Sequence, residues 1–163
     1  MDDVKTIMVA LGFSHYCGGL FNYAAGLAKK LDADLLVASI INSRDVDAVG
    51  RVSSMGFEVD GEHYVESVRR ERLELLEGYI RESGFATGRL RTIIKVGNPL
   101  DELLKITVRE DVQMLVMGVR GRSDLEHIFI GSIAEKLFRR SPVTVVSYRD
   151  EKSASRLRKR IHL

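Results

Sequence analysis

Gly118, Gly121 and the pair Gly131-Ser132 stand in the pattern G-x2-G-x9-G-S within the stretch MGVRGRSDLEHIFIGSIAEKLFRRSP, residues 117–142. Gly118 closes a short apolar run, Gln113 to Met117, and Ser132 opens an amphipathic segment, so the pattern sets a glycine loop between a buried strand and a helix. Such a loop can receive phosphate. Gly118 lets the chain leave the strand at any φ, and Gly121 removes a side chain so that backbone N–H groups approach a ligand. Gly131 and Ser132 would present the N–H groups of a helix N-terminus, whose partial positive charge suits an anion. A second reading needs no ligand: Ser132 followed by Glu135 is a capping box, Gly118 is then a turn residue, and Leu125, Ile128, Phe129 and Ile130 pin the loop to the core. Spacing alone leaves both readings open. The chain has neither a G-x-x-x-x-G-K-[ST] loop nor a G-x-G-x-x-G after its first strand, which excludes the two better-known nucleotide loops.

The elements that must position this loop alternate. Val4–Leu11, Leu35–Ile41, Leu90–Val96, Gln113–Met117 and Val143–Ser147 are short apolar runs of the kind buried on both faces. Between them, helical spacing predicts helices over His15–Leu31, Glu62–Ser83, Asn98–Glu110 and Ser132–Arg139. Val65, Val68, Leu75, Leu76 and Tyr79 form the stripe of the second, with Gly84 as its stop. Asn98 as N-cap, Pro99 at the first helical position and Asp101 and Glu102 in the first turn start the third. Ser43–Gly61 loses periodicity and reads as a mobile loop able to fold over a ligand. Strands alternating with helices demand a parallel sheet with right-handed crossovers and helices on both faces. In such sheets ligands sit outside the carboxyl ends of the strands, where the strand order reverses.

At 163 residues, 45% apolar and 29% charged, the chain reads as one globular α/β domain, residues 1–149. The formal charge is +2, but residues 150–163 carry five Lys and Arg against two acids, a local +3, so the body carries −1. A near-neutral body with a basic end does not fit a nucleic-acid-binding face, and residues 150–163 read as a flexible, solvated tail. No apolar run is long enough to cross a bilayer and the acidic N-terminus is unlike a signal peptide, so a cytoplasmic location is expected. Cys17 is the only cysteine, which excludes an internal disulfide and a Cys-based zinc site, and it reads as a small apolar filler.

The stretch KVGNPLDELLKITVREDVQMLVMGVRGRSDLEHIFIGSIAEKLFRRSPVTVV, residues 95–146, resembles the universal stress protein family. The likeness lies in the VGNP turn, the MG-x-x-GRS segment and the GS-x-AEK-x-x-R-x-SP-x-x-VV ending, and it extends from Lys5 onward. It implies a Rossmann-like open sheet of five parallel strands in the order 3-2-1-4-5. It further implies ATP, or ADP or AMP, held between the ends of strands one and four. Gly118, Gly121, Gly131 and Ser132 would contact ribose and phosphates, Arg122 and Ser123 would lie near the phosphates, and Ile40 near the adenine through its backbone. Homodimers through the fifth strand, residues 143–147, are implied as well. One position departs from the family: strand one runs Leu11-Gly12-Phe13-Ser14, so Gly12 stands where an aspartate usually helps to hold the adenosine. Phe13 offers an aromatic face either for adenine or for packing under the first helix.

Three function classes follow. The first is an ATP-binding regulatory module in stress response, acting on unidentified protein partners, with Mg²⁺ accompanying the triphosphate. The second is a slow ATPase or autophosphorylating enzyme, for which Asp124, Glu126 and His127 supply polar groups but no spacing that specifies a metal ligand or nucleophile. The third, motivated by Gly12, is a nucleotide-free dimeric scaffold. His15, His63 and His162 are scattered and mark no metal site.

Overall fold

The computed structural model describes residues 3–13, 17–58, 60–119 and 132–161. Its strands are β1 (Thr6–Ala10), β2 (Asp34–Asn42), β3 (Leu90–Gly97), β4 (Met114–Gly118) and β5 (Thr144–Tyr148). Its helices are α1 (Cys17–Leu31), α2 (Ser43–Ser54), α3 (Gly61–Ser83), α4 (Pro99–Arg109), α5 (Ser132–Arg140) and α6 (Glu151–Arg158). The five strands are parallel and ordered β3-β2-β1-β4-β5. This is the single α/β domain the alternation calls for.

Each face of the sheet collects its own core. Ile7, Val9, Leu35, Val37 and Val116 turn to one side and pack under α1 and α3, against Leu20, Phe21, Ala24, Ala28 and Leu76. Met8, Leu36, Ala38, Leu115 and Met117 turn to the other and pack under α4 and α5, against Leu103, Ile106, Ala134 and Leu137. The period-two alternation within apolar strands therefore feeds two cores, which is why residues 7–10, 35–38 and 114–117 are apolar throughout.

The caps follow from local chemistry. Asn98 accepts the Asp101 N–H with its side chain, and Pro99 occupies the first turn of α4. Gly84 stops α3 in the left-handed region at φ 61°, a conformation that costs glycine nothing.

Three local readings of the sequence are corrected. Ser43–Ser54 is the helix α2 rather than a mobile loop: Asn42 caps it by accepting the Arg44 N–H at 3.0 Å, and Val46 packs with Tyr64 and Val65 of α3 around Ile41, Val68 and Ile94. Its serines and charges hid a helix whose apolar side is narrow. Leu75 is exposed, and the position in the α3 stripe beside Val68 and Leu76 belongs to Arg72, which is buried. The basic end also contains order: Asp150 caps α6 by accepting the Ser153 N–H at 2.7 Å, and Glu151 pairs with Arg158 at 2.8 Å.

Glu102 ties the end of β3 to α4, accepting from Lys95 at 2.9 Å and Lys105 at 2.8 Å. The two ammonium groups, Lys105 first, hold its carboxyl down to about 2. A carboxyl lower in the folded than in the unfolded chain stabilises fully above the unfolded value and loses that contribution as pH falls through the folded one. Chemical denaturation followed between pH 5 and pH 2 should therefore show an acid-side loss of stability that is smaller in Glu102→Gln. Parallel curves for the two proteins would contradict the assignment.

Candidate functional site

A cavity of about 240 Å³ opens at the carboxyl ends of β1, β2 and β4, where the strand order reverses. Its floor is apolar, formed by Ala10, Ala38, Leu103, Met117 and Leu137. The rest of its lining includes Gly12, Asn42, Asp45, Gly118, Tyr148 and Asp150, with the buried Arg72 and Ser153. A largely apolar lining with a few polar groups is the arrangement that takes a flat, partly apolar ligand with a polar or charged extension.

Three of the residues singled out from the sequence meet here: Gly12, Ile40 and Gly118 all line the cavity. Gly12 follows β1 and is exposed, and a side chain built on it would meet nothing within 4 Å. Space for the family's aspartate is thus present although the carboxylate is not. Ser132 is the first residue of α5, whose Ile133 and Ala134 reach the cavity. Gly121, Arg122, Ser123 and Gly131 lie outside the described residues, as do Asp124, Glu126 and His127. Glu135, the second member of the expected capping box, pairs with Arg139 at 2.9 Å, one turn further along α5.

The exit of β1 is fixed by a chain of polar contacts. Arg72 Nη1 donates to Ser39 Oγ at 2.8 Å, and Ser39 Oγ donates to the Leu11 carbonyl at 2.8 Å, with Arg72 and Ser39 only 3% and 1% exposed. Two strands and α3 are so joined immediately before Gly12. Phe13 adopts φ 56°, and its ring lies 6.3 Å from that of Tyr79 at 13°, with the Arg72 guanidinium 5.8 Å from the Phe13 centroid. The aromatic face considered for adenine is therefore engaged with α3. Burial pushes the Tyr79 phenol up, with Cys17 and Glu82 acting in the same direction. Cys17 is buried and lines the cavity at the start of α1. Among the described residues no cluster of His, Cys, Asp and Glu is arranged to hold a metal ion.

Arg72, Asn42, Asp45, Tyr148, Asp150 and Ser153 are site residues that sequence reasoning missed. Arg72 left a signal: an arginine at a stripe position between Val68 and Leu76 must either be exposed or serve a buried contact. The residues following β5 left none, because a basic composition concealed the capped turn.

Tyr148 reaches the cavity because α1 is smooth beneath it. Its ring packs against Tyr23 at 5.3 Å, and a Cβ on Gly19 would stand 2.8 Å from its hydroxyl oxygen but 3.5 Å from the ring carbon that bears it. Gly19→Ala should therefore destabilise the fold by about 1–2 kcal/mol through overpacking, and Tyr148→Phe in the same chain should recover most of that loss. Thermal melts of the two single variants and the double variant check this, and additive losses would refute the contact.

A family model described as the Universal stress protein family matches residues 3–149. A putative universal stress protein of Staphylococcus aureus (strain USA300) is 28% identical over 149 residues, covering 90% of this chain and 85% of the relative. One from Staphylococcus epidermidis is 29% identical over 154 residues, covering 93% and 87%. Among solved structures, hypothetical protein MJ0577 superposes with a TM-score of 0.74 at 21% identity, covering 92% of this chain and 99% of the other. A universal stress protein in complex with cAMP gives 0.62 at 21%, covering 91% and 99%, and one from Archaeoglobus fulgidus in complex with dAMP gives 0.58 at 18%, covering 91% and 100%. With the sheet order, the reversal cavity and the match over residues 3–149 in agreement, the chain belongs to the universal stress protein family.

Proposed function

We propose that this chain binds an adenine nucleotide, ATP with Mg²⁺ or else ADP or AMP, and acts as a nucleotide-dependent regulatory module in stress response. The observation that carries the reading is the cavity at the strand-order reversal, lined together by Gly12, Ile40 and Gly118. Support comes from two relatives of the same fold whose structures contain cAMP and dAMP. The apolar floor suits the base, and Gly118 starts the glycine pattern that would serve ribose and phosphates. Mg²⁺ would neutralise the triphosphate. In the cell the chain would work in the cytoplasm; among the described residues no helix is long and apolar enough to cross a membrane.

Calorimetric titration of exhaustively dialysed protein with ATP and Mg²⁺, with GTP as control, tests the reading. Saturable binding of ATP at one site per chain is expected. Gly131→Val should abolish it, and Gly12→Asp should tighten it by about tenfold or more, the worth of a charge-assisted hydrogen bond. Absence of heat and of binding with both nucleotides would refute the reading and leave a nucleotide-free scaffold.

β5 is an edge of the sheet, Val143 and Val145 are only partly covered, and Phe138 of α5 is exposed. An unpaired edge next to apolar side chains favours pairing with a second copy. A homodimer through residues 143–147 is the expected assembly, and light scattering at micromolar concentration should give twice the chain mass; a monomeric mass would exclude it.

A further inference from the structure

The geometry points to α6, which lies beyond the family domain, as a further wall of the nucleotide cavity, with the Ser153 hydroxyl as a contact for the polyphosphate end of the ligand. The inference rests on the adenine-nucleotide reading and extends it to residues the family match does not include. That match ends at residue 149, and the structures of MJ0577 and of the dAMP complex, covered over 99% and 100% of their lengths, leave 8% and 9% of this chain unmatched.

Three observations place the segment at the ligand. Asp150 and Ser153 line the same cavity as Gly12, Ile40 and Gly118. Ser153 is 6% exposed, and among the described residues its hydroxyl has no hydrogen-bond partner. A hydroxyl that lines the cavity and has no protein acceptor keeps its donor for a ligand there. Its position is also fixed: the Asp150 side chain holds the Ser153 N–H at 2.7 Å, and Glu151 holds Ser155 Oγ at 3.1 Å and Arg158 at 2.8 Å.

The direction of the ligand follows from strand order. Across the cavity mouth the order is β2, β1, β4, β5, so β2 and β5 are three strand spacings apart, about 14 Å. A nucleotide with its base beside Ile40 of β2 spans this mouth and brings its phosphates past Gly118 toward the first turn of α6. The Asp150 carboxylate at the same end is turned to its own helix, where it accepts the Ser153 N–H, which leaves the serine hydroxyl for the phosphate oxygens.

The test uses the full chain and two probes, ATP with Mg²⁺ and adenosine. Ser153→Ala should weaken ATP by about fivefold, the worth of one hydrogen bond, and leave adenosine unchanged. Ser153→Asp should weaken ATP further, again sparing adenosine, while Ser155→Ala should change neither. Unaltered ATP affinity in Ser153→Ala, or an equal loss for both probes, overturns the assignment while the nucleotide reading stands. Failure of the parent chain to bind either probe removes both.

Discussion

Everything in this molecule depends on β1 being paired on both edges by parallel neighbours, β2 through Thr6 to Ala10 and β4 through Ile7 to Val9. A strand enclosed in that way has no free backbone group and no solvent face, so its residues must be apolar and its helices must cover both sides. Right-handed crossovers then carry α1 and α3 to one side and α4 and α5 to the other. The strand order reverses between β1 and β4 as a consequence, and the cavity opens at their carboxyl ends. The cavity is a by-product of topology, and the side chains that line it decide only its shape and polarity.

The buried contacts of Arg72 show how such a gap is kept open. A guanidinium placed among apolar residues is expensive unless its donors are used. Here one goes to Ser39, which itself donates to the Leu11 carbonyl. The price is met by fixing the direction in which β1 ends. A leucine or methionine at position 72 would suit the core yet leave the Ser39 hydroxyl without the donor that Arg72 supplies. Phe13 lies over the same arginine and stacks on Tyr79, so polar and aromatic contacts add to the core packing of Leu11 and Phe13 on either side of Gly12.

Much of this was legible in the residues. Strand runs, the Asn98-Pro99 start and the Gly84 stop each have a local cause that a sequence displays, and their boundaries agree with the structure to within one or two residues. Family resemblance supplied the strand order, which alternation alone does not fix. Gly118 was legible because it closes a strand, whereas Gly12 and Ile40 were singled out through the family resemblance; all three line the cavity. What was illegible depended on tertiary partners. The helix α2 has no buried residue and gains its place from Val46 against α3. Arg72 serves a carbonyl 61 positions away through a serine on another strand, and no periodicity encodes that. The turn at Asp150–Ser153 matters through the cavity it faces, which only the folded sheet creates.

The pairing of β1 with β4 has a consequence for how the protein is made. Gln113 accepts the backbone N–H groups of Lys5 and Thr6 with its side chain, across separations of 108 and 107 residues. On a ribosome, β1 and β2 emerge early and can pair, yet one edge of β1 stays bare until residues 114–116 follow. Closing so long a loop is slow, and a bare apolar strand edge invites wrong partners meanwhile. The early half of the chain is therefore where a chaperone has most to protect, and the cavity itself is among the last features of the nascent molecule to exist.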